Sequence, residues 1–247
     1  DKDLVLFSKA RQCNYNFAHF IQTCTATTVC WLFDLYHDLA DVNFSRDKHE
    51  PQFKADMVFT TDGGHEQEWQ RYGINHFTLR QGIHEPEYFI YPEEKKYDVL
   101  FVGANYYSYR GRLLDYLKRM DDITFYHATQ TYGIELNKLI GQSKVVVGDS
   151  YPTTNGYYWS NRVYEMIGRG GFLLMPEIEG LDEEFEPYEE YIPYERGNFE
   201  QVEDIIRFYK DNDKVRNEIR DAGFKRCGEY TYTKRCKTLI DKIKQNE

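Results

Sequence analysis

The sequence predicts an α/β fold built on parallel sheets. Short apolar, β-branched runs alternate with amphipathic helical stretches along the whole chain. Several of those runs close on an acid or a glycine followed by a polar loop, as at Asp34, Asp62, Gly103 and Asp149. Open α/β sheets hold their ligands at such strand ends. With 247 residues there is room for one large or two modest domains.

Asp3–Phe7 reads as a first short strand. Residues 11–24 form a helix that gathers Phe17, Phe20, Ile21 and Cys24 on one face. Thr28–Asp34 and Met57–Asp62 are buried strands; after the second, Gly63-Gly64-His65 leads into a helix to Tyr72, with Gly73 at its end. His76–Gln81 supplies a fourth strand. The Pro-, Glu-, Tyr- and Lys-rich stretch 85–96 breaks the periodicity and reads as a linker between two lobes. A second βα series then restarts at Tyr97–Ala104, with strands at Ile123–His127, Lys144–Asp149, Phe172–Met175 and 188–194. Its helices use Leu113 and Leu117, then Leu136 and Ile140, then Val202, Ile205, Ile206 and Tyr209; further helices follow at 214–224 and 234–244. The division expected is a short first lobe over 1–90, a second over 91–230, and a last helix over 231–247 that packs back across both.

The net charge is −10, but residues 177–204 hold twelve Asp/Glu against one Arg, which leaves the rest of the chain near neutral. Segment 225–244 is locally +5. The overall acidity therefore weighs only weakly against a polyanionic partner. Five cysteines form no CxxC pair and no zinc-spaced cluster, so no metal is expected; scattered thiols of this kind fit a reducing cytoplasm. No apolar run nears the roughly 20 residues that span a bilayer, and no signal peptide opens the chain. It starts at Asp1 without a Met, which fits an upstream segment trimmed or lost.

The stretch with the most chemistry is Tyr157–Pro176. On a helix, Arg162, Glu165 and Arg169 share one face, and Val163, Met166 and Ile167 another. An arginine in the first turn of a helix is a natural seat for a phosphate. A carboxylate one turn on can accept hydrogen bonds from a sugar diol. The competing reading is a helix with a solvated, charged face.

Three tracts carry a family likeness: Val99-Leu-Phe-Val-Gly-Ala104 with Arg110, Ser143-Lys-Val-Val-Val-Gly-Asp149, and Asn161-Arg-Val-Tyr-Glu-Met-Ile-Gly-Arg-Gly-Gly-Phe-Leu-Leu174. Together with Trp31-Leu-Phe-Asp34, Phe59-Thr-Thr-Asp62 and Leu79-Arg-Gln-Gly82, the chain resembles CgeB-type proteins, GT-B glycosyltransferases named from a spore-maturation protein. The resemblance implies two Rossmann-like lobes with a central cleft, the N-terminal lobe here truncated or minimal. It implies a metal-independent glycosyltransferase without a cofactor, whose donor is a nucleotide-diphosphate sugar, a UDP-sugar, and whose acceptor is an unidentified hydroxyl on a saccharide or glycan. By the same likeness Gly103, Arg110 and Arg162 would hold the donor diphosphate end and Glu165 the ribose, with Asn161 also among the donor-binding residues. Many retaining relatives carry a second acid eight residues before that glutamate; Tyr157 stands there instead.

An inverting enzyme needs a base near the acceptor hydroxyl. His65 and Asp34, at strand ends of the first lobe, are the candidates; the plainer readings are a helix-start residue and a turn cap. Two rival functions stay open. One is a non-catalytic module that holds a nucleotide-sugar. The other is transfer to a hydroxylated base in DNA, for which duplex binding would weaken steeply with salt.

Overall fold

The computed structural model describes residues 3–8, 15–33, 50–105, 108–151 and 156–246. They form two compact units: Asp1–Gln81, Pro152–Tyr158 and Arg235–Glu247 make the first, Gly82–Tyr151 and Trp159–Lys234 the second.

The first unit holds strands β1 (Leu4–Phe7), β2 (Thr27–Leu32), β3 (Met57–Thr60) and β4 (His76–Thr78) in one parallel sheet of that order, with helices α1 (Tyr15–Thr23) and α2 (Glu66–Arg71). β2 is a near-continuous apolar run because both its faces are covered. Its register is pinned by Asp56, whose Oδ2 accepts from the Thr28 backbone N–H at 2.8 Å and hydroxyl at 2.7 Å. Cys30, Leu32, Phe53, Val58, Trp69 and Ile74 form the core, and Trp69 stacks on the His76 ring at 4.6 Å.

The second unit is a five-stranded parallel sheet. In chain order its elements are β5 (Tyr97–Val102), α3 (Ser108–Leu117), β6 (Phe125–Ala128), α4 (Gly133–Gly141), β7 (Ser143–Val147), α5 (Arg162–Ile167), β8 (Leu173–Pro176), β9 (Ile192–Tyr194), α6 (Phe199–Asp211) and α7 (Asp213–Cys227). The spatial order β6-β5-β7-β8-β9 puts β7 in the middle and β5 beside it, paired with β6 and β7. Successive strand residues face opposite sides, so Val99, Phe101, Val145 and Val147 join one core with Leu113, Leu117, Val202 and Ile206. Leu100, Val102 and Val146 join the other with Leu136, Ile140, Val163 and Ile167. This is a doubly wound, Rossmann-like sheet. The last helix, α8 (Tyr232–Gln245), follows, and its buried Leu239 and Ile243 fall in the first unit.

The stretch 85–96 differs from the linker expected. Residues 82–90 already belong to the second unit. Buried Asn137 donates from Nδ2 to the carbonyls of Glu87 (2.9 Å) and Phe89 (3.0 Å), and Tyr88 stacks on Phe224 at 4.4 Å. Tyrosines and prolines that break a period in the sequence here pack as irregular but ordered chain. The expected strand at 188–194 shrinks to Ile192–Tyr194, with Tyr188 at φ 66° before it.

Candidate functional site

In the second unit, the chain just beyond β5 and the start of α5 meet around a cavity of 670 Å³ lined by Gly103, Asn161, Arg162, Glu165, Arg169 and Glu87 among others. The loop Thr129–Gly133 makes another wall, turning through φ 53° at Gln130 and 57° at Gly133.

Gly103 shapes the floor. It sits at φ 138°, where a side chain is strained; its N–H donates to the Ala128 carbonyl at 2.9 Å. A Cβ there would lie 2.6 Å from Arg162 Nη2. The guanidinium of Arg162 therefore rests across bare backbone, and its Nη1 donates to the Asp149 carbonyl at 3.0 Å. Helix α5 has only six residues, so little dipole accumulates, and the positive charge at its start is that of Arg162 itself. Gly103→Ala should cost about 1–3 kcal/mol of stability through its backbone conformation and displace Arg162, weakening anion binding. Denaturant titration and calorimetry would measure the two effects separately.

Arg110, expected to face the phosphates, is turned elsewhere. It is buried and is not among the residues that line the cavity. Its Nε donates to Asp149 Oδ2 at 3.2 Å and its Nη1 to the Ala104 carbonyl at 2.7 Å. A guanidinium taken out of water needs a counter-charge, and Asp149, fully buried just past β7, supplies it. The second oxygen of Asp149 meets Arg196 at 3.0 Å. Two guanidinia thus hold the one carboxylate whose backbone carbonyl anchors Arg162.

Glu165 faces the cavity with both oxygens engaged. Asn161 Nδ2 donates to Oε1 at 3.0 Å, and Arg169 Nη1 lies 2.5 Å from Oε2. Arg169 also pairs with Glu87. Burial raises the Glu165 carboxyl above its ordinary range; the Arg169 charge opposes that shift and the Glu87 charge adds to it.

Of the seven residues singled out in the sequence, Gly103, Asn161, Arg162 and Glu165 line this one cavity. His65 lies in the first unit, buried at the start of α2, and Asp34 lies outside the described residues. Tyr157 also falls in the first unit, at φ 52°, where its carbonyl accepts from Gly63 N–H at 3.1 Å and from Arg80. Sequence reasoning missed Glu87, hidden in the stretch read as a linker. It placed Arg169 on the right face but could not see its burial. No group of three or more His, Cys, Asp or Glu side chains that could hold a metal ion occurs among the described residues.

A parallel α/β unit with a cation, a carboxylate and a glycine turn around one cavity beyond an interior strand has the Rossmann-like form, which holds its ligands at such strand ends. The family model described as glycosyl transferase-like matches residues 88–241, and the chain belongs to that family. A search of curated proteins gave no match. Among solved structures, TarM of S. aureus is similar with a TM-score of 0.70 at 12% identity, over 96% of this chain and 54% of its own. HepE of Anabaena in complex with UDP-glucose is similar with a TM-score of 0.69 at 10% identity, over 89% of this chain and 72% of its own. The pneumococcal O-GlcNAc transferase GtfA in complex with UDP and GlcNAc gives 0.64 at 11% identity, over 98% and 56%. At such identities these likenesses concern the fold, and this chain spans about half the length of TarM. No described helix is long and apolar enough to cross a membrane.

Proposed function

We propose that the chain carries the donor site of a CgeB-type glycosyltransferase, which moves a sugar from a UDP-sugar to a hydroxyl on a saccharide or glycan. The observation that carries this reading is that Arg162, resting on the bare backbone of Gly103, and Glu165 line one cavity. Arg162 would meet the diphosphate and stabilise the negative charge that grows on it as the sugar leaves, the kind of preorganised electrostatic contribution that dominates many enzymes. Glu165, oriented by Asn161 and Arg169, would accept from the ribose hydroxyls. Family membership and the UDP named in the HepE and GtfA structures support a nucleotide-sugar donor. A base of the first unit, His65 or Asp34, would take the acceptor proton. None of the described cysteines is in a disulfide, which fits a cytoplasmic setting.

The test is a thermal-shift panel of nucleoside diphosphates and their sugars on the wild type and Glu165→Ala, followed by assay of UDP release. UDP should stabilise the wild type and do so far less in the variant. Equal stabilisation of both would remove the ribose role from Glu165. Binding of every donor with no release of UDP on long incubation would leave a carrier, not an enzyme.

A further inference from the structure

The donor-site reading uses Glu165 and leaves a second cavity-lining carboxylate without a task. Glu87 and Glu165 share one guanidinium: Arg169 reaches Glu87 through Nη2 and Glu165 through Nη1. The side chain of Arg169 is 2% exposed, whereas those of Glu87 and Glu165 are 25% and 23% exposed. The cation is thus sealed, and each acid shows an edge to the cavity that all three line.

Several features fix Glu87 there. Its carbonyl is held by Asn137 Nδ2 at 2.9 Å, and its N–H donates to the His84 carbonyl at 2.9 Å, closing the 3-10 turn Glu85–Glu87. Its Oε1 looks toward Gly133, where even an added Cβ would stay 3.9 Å away. An ion pair made only for stability would need one carboxylate for one guanidinium. Here two carboxylates flank it, so the cluster carries an excess negative charge beside the opening. Two carboxylates held on one guanidinium and lining one cavity can each accept from one of two neighbouring hydroxyl donors.

We infer that Glu87 is a second hydroxyl acceptor of this cavity, set beside Glu165 by Arg169, so that the two carboxylates read the two hydroxyls of a vicinal diol one each. This deepens the donor-site reading and rests on it: the diol is the ribose of the nucleoside diphosphate. Glu87 becomes a specificity-determining residue and Arg169 a positioning residue.

Calorimetry with UDP, GDP, ADP and CDP would choose the tightest probe. That probe and its 2′-deoxy and 3′-deoxy forms would then be titrated into the wild type, Glu87→Gln and Glu165→Gln. The wild type should bind each deoxy form roughly ten- to a hundredfold more weakly, the size of a lost hydrogen bond to a charged group. Glu87→Gln should erase one of the two penalties and keep the other; Glu165→Gln should do the reverse. If Glu87→Gln does not fold, Glu87→Asp keeps the charge near Arg169 while withdrawing the carboxylate by one methylene, and should erase the same penalty. Both penalties surviving in the Glu87 variant, or one penalty erased by both variants, overturns the assignment to Glu87 and leaves the donor site standing. Failure of every nucleoside diphosphate to bind the wild type brings down the donor-site reading and this inference together.

Discussion

Asp149→Ala should lower folding stability by about 3–5 kcal/mol, the usual cost of removing one partner from a buried ion pair. Asp149 is fully buried and lies between Arg110 Nε at 3.2 Å and Arg196 Nη2 at 3.0 Å. Its loss takes the counter-charge from the Arg110 guanidinium, which is itself buried and whose Nη1 still donates to the Ala104 carbonyl. Asp149→Asn keeps the shape but not the charge and should recover only part of the loss. Equilibrium denaturation of the two variants measures this directly. A cost below about 1 kcal/mol for the alanine variant, the range of an exposed pair, would mean that the two arginines find water or other acceptors without it.

Arg162→Met should leave the fold intact and weaken nucleoside diphosphate binding. Arg162 is half-buried and its Nη1 bond goes to a backbone carbonyl that remains when the side chain changes. Each lost charge-assisted hydrogen bond to a diphosphate is worth about 1.5–3 kcal/mol, roughly ten- to a hundredfold in Kd. Arg162→Lys should fall between, because an ammonium supplies the charge without the planar fork. Calorimetry at two salt concentrations separates the contributions: affinity of the wild type should drop with salt more steeply than that of the methionine variant. Equal affinities would move the diphosphate away from Arg162.

The architecture was legible where burial on two faces leaves a mark in composition. β5 and β7 read as buried strands because Val99, Leu100, Phe101, Val145 and Val147 are wholly covered, and such strands are apolar without alternation. α6 was equally plain, with Val202 and Ile206 inward at helical spacing. The site was legible in part, because Arg162 and Glu165 sit one turn apart in the chain as well as in space. What stayed hidden depended on contacts between distant segments. Arg110 and Arg162 are alike in sequence; only the position of Asp149 decides that Arg110 is turned away from the cavity. Arg169 looked like part of a solvated charged face, yet it is 1% exposed because Glu87, from the stretch read as a linker, comes to meet it. Burial of a charge is set by a partner that periodicity does not see.

The first unit is assembled from three separate pieces of chain, and its last piece starts after the second unit has ended. No single cut between two residues can therefore separate the units. On the ribosome the order of appearance and the order of completion are reversed: the β1–β4 sheet emerges first, but the helix with buried Leu239 and Ile243, part of the same unit, is made only after the whole β5–β9 sheet. Until then the first unit lacks its last piece. A stop at Lys234 would spare every residue of the second unit and still leave the first one open, with the Gln81 carbonyl deprived of the Arg235 Nε bond that meets it at 2.9 Å.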